Sequence, residues 1–231
     1  MGLYHKWTQS CIYELWQGHQ GTGAIALAEN GPILRLVKLW SIQAEPAIDA
    51  LSRRGYLRGD GRRVDGFMRP AYRWMGEQLA RHVAPPRGHS GYPVWAWRQF
   101  DGVARPRPDL RTGVLLPPGT RGVLVTLDLP PSDVLLSDFQ KWHAVLNRSY
   151  LPRTMADARR FENDLARAEV ADCWPYPEPF HSRVIASWQR IFELDAPASD
   201  CWEGADEREI QAVFWQLNLD DVKRMKRFLA R

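Results

Sequence analysis

The chain has 231 residues, 45% hydrophobic and 25% charged, with a formal net charge of +4. These values suit a globular domain with a buried core and exclude global disorder. A mildly positive balance with no basic stripe or known motif does not by itself make a nucleic-acid binder.

Residues 1–35 are punctuated by Gly18, Gly21, Gly23, Gly31 and Pro32 and hold no sustained period. They read as a loose leader or an over-extended translation start, with a short helix around Ile12–Trp16 as the alternative. The regular domain is expected over 36–231. Leu36–Ile42 alternates like a strand, and Ala47–Leu51 starts a short helix ended by Gly55. Tyr56–Arg58 reads as a second short strand, closed by the Gly59-Asp60-Gly61 turn. A helix is expected from Pro70 to His82, with Tyr72, Met75 and Leu79 on one face. Tyr92–Phe100 reads as a strand, 105–118 as irregular, Gly122–Leu129 as the clearest strand, and Val134–Leu136 as its apolar continuation. Helices are expected over Phe139–Asn147, 154–169 and Arg183–Leu194, then a final strand over Ile210–Leu217 and a last turn at Asp220-Asp221.

Three cysteines, Cys11, Cys173 and Cys201, are too few and too scattered for a disulfide framework or a structural zinc site. They point to a reducing, cytoplasmic setting and no bound metal. No apolar run spans a membrane, and the N-terminus lacks the basic-then-apolar order of a signal peptide. The 11 tryptophans are unusual: buried, they form core, and clustered in a cleft they would wall a base or a sugar. Arginine is clustered at Arg53–Arg73 and at Arg98–Arg111, and Lys223, Arg224, Lys226 and Arg227 form a third basic group. Solvated surface is the simplest account of each cluster.

GxGxxG after a strand, GxxxxGK[ST], HExxH and GxSxG are all missing. The remaining candidates each carry two readings. Ser137-Asp138, at a strand-to-helix junction, either caps the helix or turns Asp138 into a cleft. Trp142-His143 lies on the apolar face that follows, where His143 is either packed or a donor to phosphate or ribose. In Pro108-Asp109-Leu110-Arg111, Arg111 either grips Asp109 or forks onto a phosphate. Gln43 and Gln211, near strand ends, either satisfy backbone groups or face one cleft and recognise a ribose or carboxamide.

Several segments together resemble a known family. They are Leu39–Gln43, Tyr72–Met75, Pro93–Trp97, Pro108–Arg111, Leu136–Phe139 with Trp142-His143, Ser187–Phe192 and Ile210–Trp215. The family is mainly bacterial, the domain of unknown function 3841. The resemblance covers about 37–231, leaves the leader outside and brings no activity with it.

A remoter resemblance is to toxin-type ADP-ribosyltransferases that modify nucleic acid. The strand, helix, Gly and short strand of Leu39–Arg58 are similar to their opening, where a polar residue on the first strand holds NAD. Gln43, or Ser41, stands in that place. Their late strand opens with a catalytic Glu, and here that position is Gln211. A glutamine keeps the hydrogen bond to the ribose but supplies neither a general base nor a charge. Glu209, two residues earlier and on the same strand face, offers a carboxylate.

The expected fold is therefore α+β, a central mixed sheet of short strands flanked by helices. The resemblance implies NAD or a related nucleotide as substrate, with transfer of ADP-ribose to a nucleic acid or protein. Gln43, Tyr56 and Gln211 would contact the ribose, Trp95 or Trp97 would stack on a ring, Arg111 would meet the pyrophosphate, and Glu209 would be the acid/base. Two rivals stand beside it: a non-catalytic interaction module, such as a phage-defence accessory, and an RNA- or DNA-binding protein using the arginine clusters.

Overall fold

The computed structural model describes residues 36–231, and the leader expected over 1–35 lies outside them. In chain order the elements are β1 (Val37–Ala44), α1 (Glu45–Arg54), β2 (Tyr56–Arg58), α2 (Arg69–His82), β3 (Val94–Gln99), β4 (Arg121–Leu129), β5 (Leu135–Asp138), α3 (Phe139–Leu146), α4 (Met155–Arg167), α5 (Phe180–Ser187), β6 (Ile210–Phe214), β7 (Gln216–Asn218) and β8 (Val222–Leu229). The fold is α+β. Six strands form one sheet in the order β5-β6-β3-β1-β4-β8, and β2 and β7 form a separate ribbon. Every pairing is antiparallel.

The helices follow from local chemistry. α1 has Pro46 and Glu45 in its first turn, buries Ala47, Ile48 and Leu51, and ends where Gly55 takes φ 78°. That left-handed conformation suits glycine, whose N–H closes on the Leu51 carbonyl. α2 buries Ala71, Trp74, Met75, Gln78 and Leu79 along one stripe. The Thr154 side chain caps α4 by accepting from Asp157 N, and that helix buries Phe161 and Leu165, four apart.

Two expected boundaries shift and one strand is unforeseen, each for a visible reason. The helix expected over 183–194 begins at Phe180 and tightens after Ser187 into a 3-10 turn, Trp188–Phe192. There the Ser187 hydroxyl donates back to the Val184 carbonyl and accepts from Leu151 N. The strand expected over 210–217 breaks at Trp215, whose indole N–H is drawn to the Val83 carbonyl. Beyond the break, β7 leaves the large sheet to pair with β2. The basic group Lys223–Arg227 is the edge strand β8, paired along β4. Charge on an exposed strand guards the edge against pairing with another chain.

Apolar residues cover both faces of the sheet. One face packs Leu39, Val94, Ala96, Val125, Ala212 and Phe214 against Ile48 and Leu51 of α1. The other packs Val213, Trp215 and Trp95 against residues of α2, α3, α4 and α5, including Trp74, Trp142 and Phe161. Trp74 meets Trp188 edge-on at 5.5 Å, and Trp95 lies 5.1 Å from Trp142. These tryptophans are core rather than the walls of a cleft.

The sheet is divided at one seam. β1 and β4 stay in register from Val37↔Leu129 to Ala44↔Gly122, whereas β1 and β3 register at one pair, Trp40↔Trp97. Beside that pair the Ser41 hydroxyl donates across the seam to the Trp95 carbonyl at 2.8 Å. The sheet is thus two three-stranded halves, β5-β6-β3 and β1-β4-β8. Among the described residues no helix is long and apolar enough to cross a membrane.

Candidate functional site

The densest buried polar chemistry lies where β5 runs into α3 and β6 begins. Asp138 ends β5 with an extended backbone and caps α3, its Oδ1 accepting from Lys141 N at 3.0 Å. Its Oδ2 lies 3.1 Å from Arg208 Nε and 3.6 Å from Lys141 Nζ. All three side chains are almost wholly buried. Arg208 also donates to the carbonyls of Leu194, Ala196 and Glu203, tying the approach to β6 into one knot. Burial pushes the Lys141 amine down, against the pull of Asp138.

Glu209 follows directly. Its backbone carbonyl accepts from Phe139 N, and its carboxylate accepts from Gln140 Nε2. Burial, reinforced by the carboxylates of Glu203, Asp101 and Asp138, pushes the Glu209 carboxyl up to about 7, against the Gln140 hydrogen bond. A carboxyl balanced near neutrality gives or takes a proton at working pH.

Gln211 enters β6 between Ser137 of β5 and Trp97 of β3. It is 5% exposed and Ser137 is 0% exposed. The Gln211 amide nitrogen and the Ser137 hydroxyl both lack a hydrogen-bond partner, as does the Trp95 indole nitrogen. A buried polar atom without a partner is costly, so each keeps hydrogen-bonding capacity that the protein itself does not use. Trp97, in the same row, packs between Phe100 and Phe139.

The structure thus brings Glu209, Gln211, Ser137, Asp138 and Trp97 to one corner. Trp142 is 2% exposed and packed on Trp95 and Tyr72, so it is core. His143 is exposed, edge-on to Phe139 at 4.8 Å, with Nδ1 against the Gln140 carbonyl.

Three expected contacts lie elsewhere. Gln43 is three residues from Trp40, whose row across the sheet runs through Trp97 to Gln211. Side chains alternate faces along a strand, so Gln43 and Gln211 face opposite sides. Gln43 instead donates to Ser41 Oγ at 2.8 Å. Tyr56 lies on the β2–β7 ribbon with the Arg58 guanidinium 4.9 Å from its ring. Arg111 is exposed and turns back on Asp109, with Nη2 to Oδ2 at 2.7 Å. That guanidinium holds the Asp109 carboxyl down at about 2.

Arg208, Lys141, Gln140 and Gln99 complete the corner and were not singled out in the sequence. Gln99 Nε2 donates to the Arg208 carbonyl at 2.6 Å. The contacts of Gln99 and Gln140 with the 208–209 segment depend on the long-range pairing of β6 with β3 and β5. Two open depressions of about 420 and 440 Å³ lie on the exposed side of α5, and both are lined by Ala186 and Gln189. None of the candidate residues lines either one.

No curated protein and no solved structure matches the chain. The family model for the domain of unknown function 3841 matches residues 38–223, and the chain belongs to that family.

Proposed function

We propose that the domain takes NAD or a related nucleotide as substrate and transfers its ADP-ribosyl group to a macromolecule at the β5–β6 corner. The observation that carries this reading is Glu209, a half-buried carboxyl held by Gln140 two residues before Gln211, whose amide nitrogen, like the hydroxyl of Ser137 opposite it on β5, has no partner. The hydroxyl and the amide suit a ribose, whose hydroxyls both donate and accept. In the transfer, the bond between the ribose C1′ and the nicotinamide nitrogen breaks, and nicotinamide leaves with the electron pair. An acceptor oxygen or nitrogen bonds to C1′, and its proton passes to the Glu209 carboxylate. The first contact set is revised: Gln211 and Ser137 take the ribose, and Gln43, Tyr56 and Arg111 drop out.

A second reading, a non-catalytic interaction module, is favoured by a different observation. The two amides that would have gripped one ligand face opposite sides of the sheet, and Trp95 and Trp142 are spent on the core.

Incubation with labelled NAD and a bacterial extract separates the two readings. The transferase reading expects label in protein, RNA or DNA that is lost with Glu209→Gln while the fold stays intact. No label, and no rise in Tm with NAD, leaves the interaction module.

A further inference from the structure

The positive charge of the chain is concentrated in one stretch. Residues 53–87 hold nine arginines against three acidic residues, so the rest of the chain is net acidic. Arg53, Arg54, Arg63, Arg69 and Arg73 are exposed, and none has a carboxylate within ion-pair distance among the described residues. Surface arginines kept for solubility are usually interspersed with acids.

The stretch is folded onto one support. A Cβ at Gly59 would stand 2.1 Å from the Tyr92 carbonyl oxygen, and one at Gly76 of α2 would stand 2.0 Å from that of Gly91. The turn after β2 and the helix α2 are therefore both pressed onto Gly91–Pro93. Two exposed aromatic rings belong to the same stretch of chain. Phe67 is 56% exposed and Tyr56 37% exposed. Each carries a guanidinium on its face, Arg148 at 4.5 Å over Phe67 and Arg58 at 4.9 Å over Tyr56. Arg148 is further fixed by donating to the Phe67 carbonyl at 2.6 Å.

We infer that the segment Arg63–Arg73 binds single-stranded nucleic acid, its exposed, unpaired arginines meeting phosphates and the Phe67 ring stacking on a base. Charge complementarity selects a polyanion, and the flat ring selects one with unpaired bases. A duplex keeps its bases stacked on one another and gains nothing from the ring. Polyglutamate offers it no planar partner. The inference is independent of the transfer reaction, since it uses none of the residues at the β5–β6 corner.

The test is fluorescence anisotropy of the full chain with labelled dT20 and U20, a duplex of equal length, and polyglutamate. A salt series accompanies each titration, and Tm is followed for every variant. Binding of either single strand in preference to the duplex and to polyglutamate supports the inference, and the tighter of the two identifies RNA or DNA. The affinity falls with salt at a slope of about −0.7 per phosphate neutralised. Phe67→Ala weakens binding about 5- to 20-fold with the salt slope unchanged. Arg63→Glu with Arg69→Glu and Arg73→Glu abolishes binding with Tm retained. No binding of dT20 or U20 at 50 mM salt overturns the inference. Equal affinity for polyglutamate, or indifference to Phe67→Ala, overturns it as well.

Discussion

Asp138 and Arg208 meet at 3.1 Å in an interior where neither is more than 3% exposed. One carboxylate caps a helix, neutralises a buried guanidinium and lies beside a buried lysine. Taking Asp138 away leaves two cations without their counter-ion in a low dielectric. The cost of breaking a buried pair is roughly 3–5 kcal/mol, more than a lost cap alone. Asp138→Ala is expected to lower the unfolding free energy measured by urea titration by that amount. Asp138→Asn, which keeps the cap, should restore only a minor part. An Asp138→Ala protein as stable as the parent would mean that water reaches the guanidinium.

Glu209 makes stability depend on pH in a definite direction. Its folded carboxyl titrates at about 7 against an ordinary 4.5, so between those values the folded chain binds more protons than the unfolded one. Stability is full below about 4.5 and falls as pH rises through 7. Glu209→Gln removes that ionisation. The substitution should raise stability at pH 8 by at most about 3.5 kcal/mol, from about 2.5 pKa units at about 1.4 kcal/mol each, and by less where solvent screens the half-exposed carboxylate. At pH 4 it should change little. Thermal unfolding at the two pH values measures the difference.

The same carboxyl sets the activity profile expected of the transferase. A base must be ionised, so turnover should rise with pH through about 7. Gln140→Ala removes the hydrogen bond that favours the ionised form and should move that limb upward. Glu203→Gln removes a neighbouring negative charge and should move it downward. A limb that stays in place in both variants would assign the titration to another group.

Gly76 lies inside α2, where alanine is ordinarily better by about 1 kcal/mol. The steric term reverses that sign. A Cβ there would stand 2.0 Å from the Gly91 carbonyl oxygen, and the backbone behind that oxygen is also pressed. Gly76→Ala is expected to lower Tm by several degrees, and calorimetry decides it.

Arg111 and Asp109 form an exposed, self-contained pair. Exposed pairs of this kind contribute little to stability. Arg111→Ala should leave Tm unchanged while the Asp109 carboxyl, held at about 2, returns toward its ordinary 3.8. Carboxyl NMR titration reads that return. If Arg111→Ala instead abolished NAD binding, the pyrophosphate contact first expected of it would be restored.

Most elements were legible because their signals are local. The alternation of Leu36–Ile42, Gly55 after α1, and Ser137-Asp138 before α3 each bias a few neighbouring residues. β8 was not legible, because Lys223, Arg224, Lys226 and Arg227 read as solvated surface; only its pairing with β4 makes them a strand. The opposed orientation of Gln43 and Gln211 is likewise a matter of register between β1, β3 and β6, and register is a long-range property. Arg208 lies next to Glu209 in the chain, yet its burial depends on loop carbonyls from 194 to 203 that no spacing rule connects to it.

The strand order has a kinetic consequence. No two neighbours in the six-stranded sheet are joined by a hairpin, and even the nearest registered partners across its central seam are Trp40 and Trp97. β4 waits for β8, and β3 waits for β6, over loops that each span close to half of the chain. Long loops must close before these contacts form, which places folding among the slow, high-contact-order topologies. Until β8 arrives, the apolar strand β4 presents an unpaired edge, and refolding yield should fall as protein concentration rises.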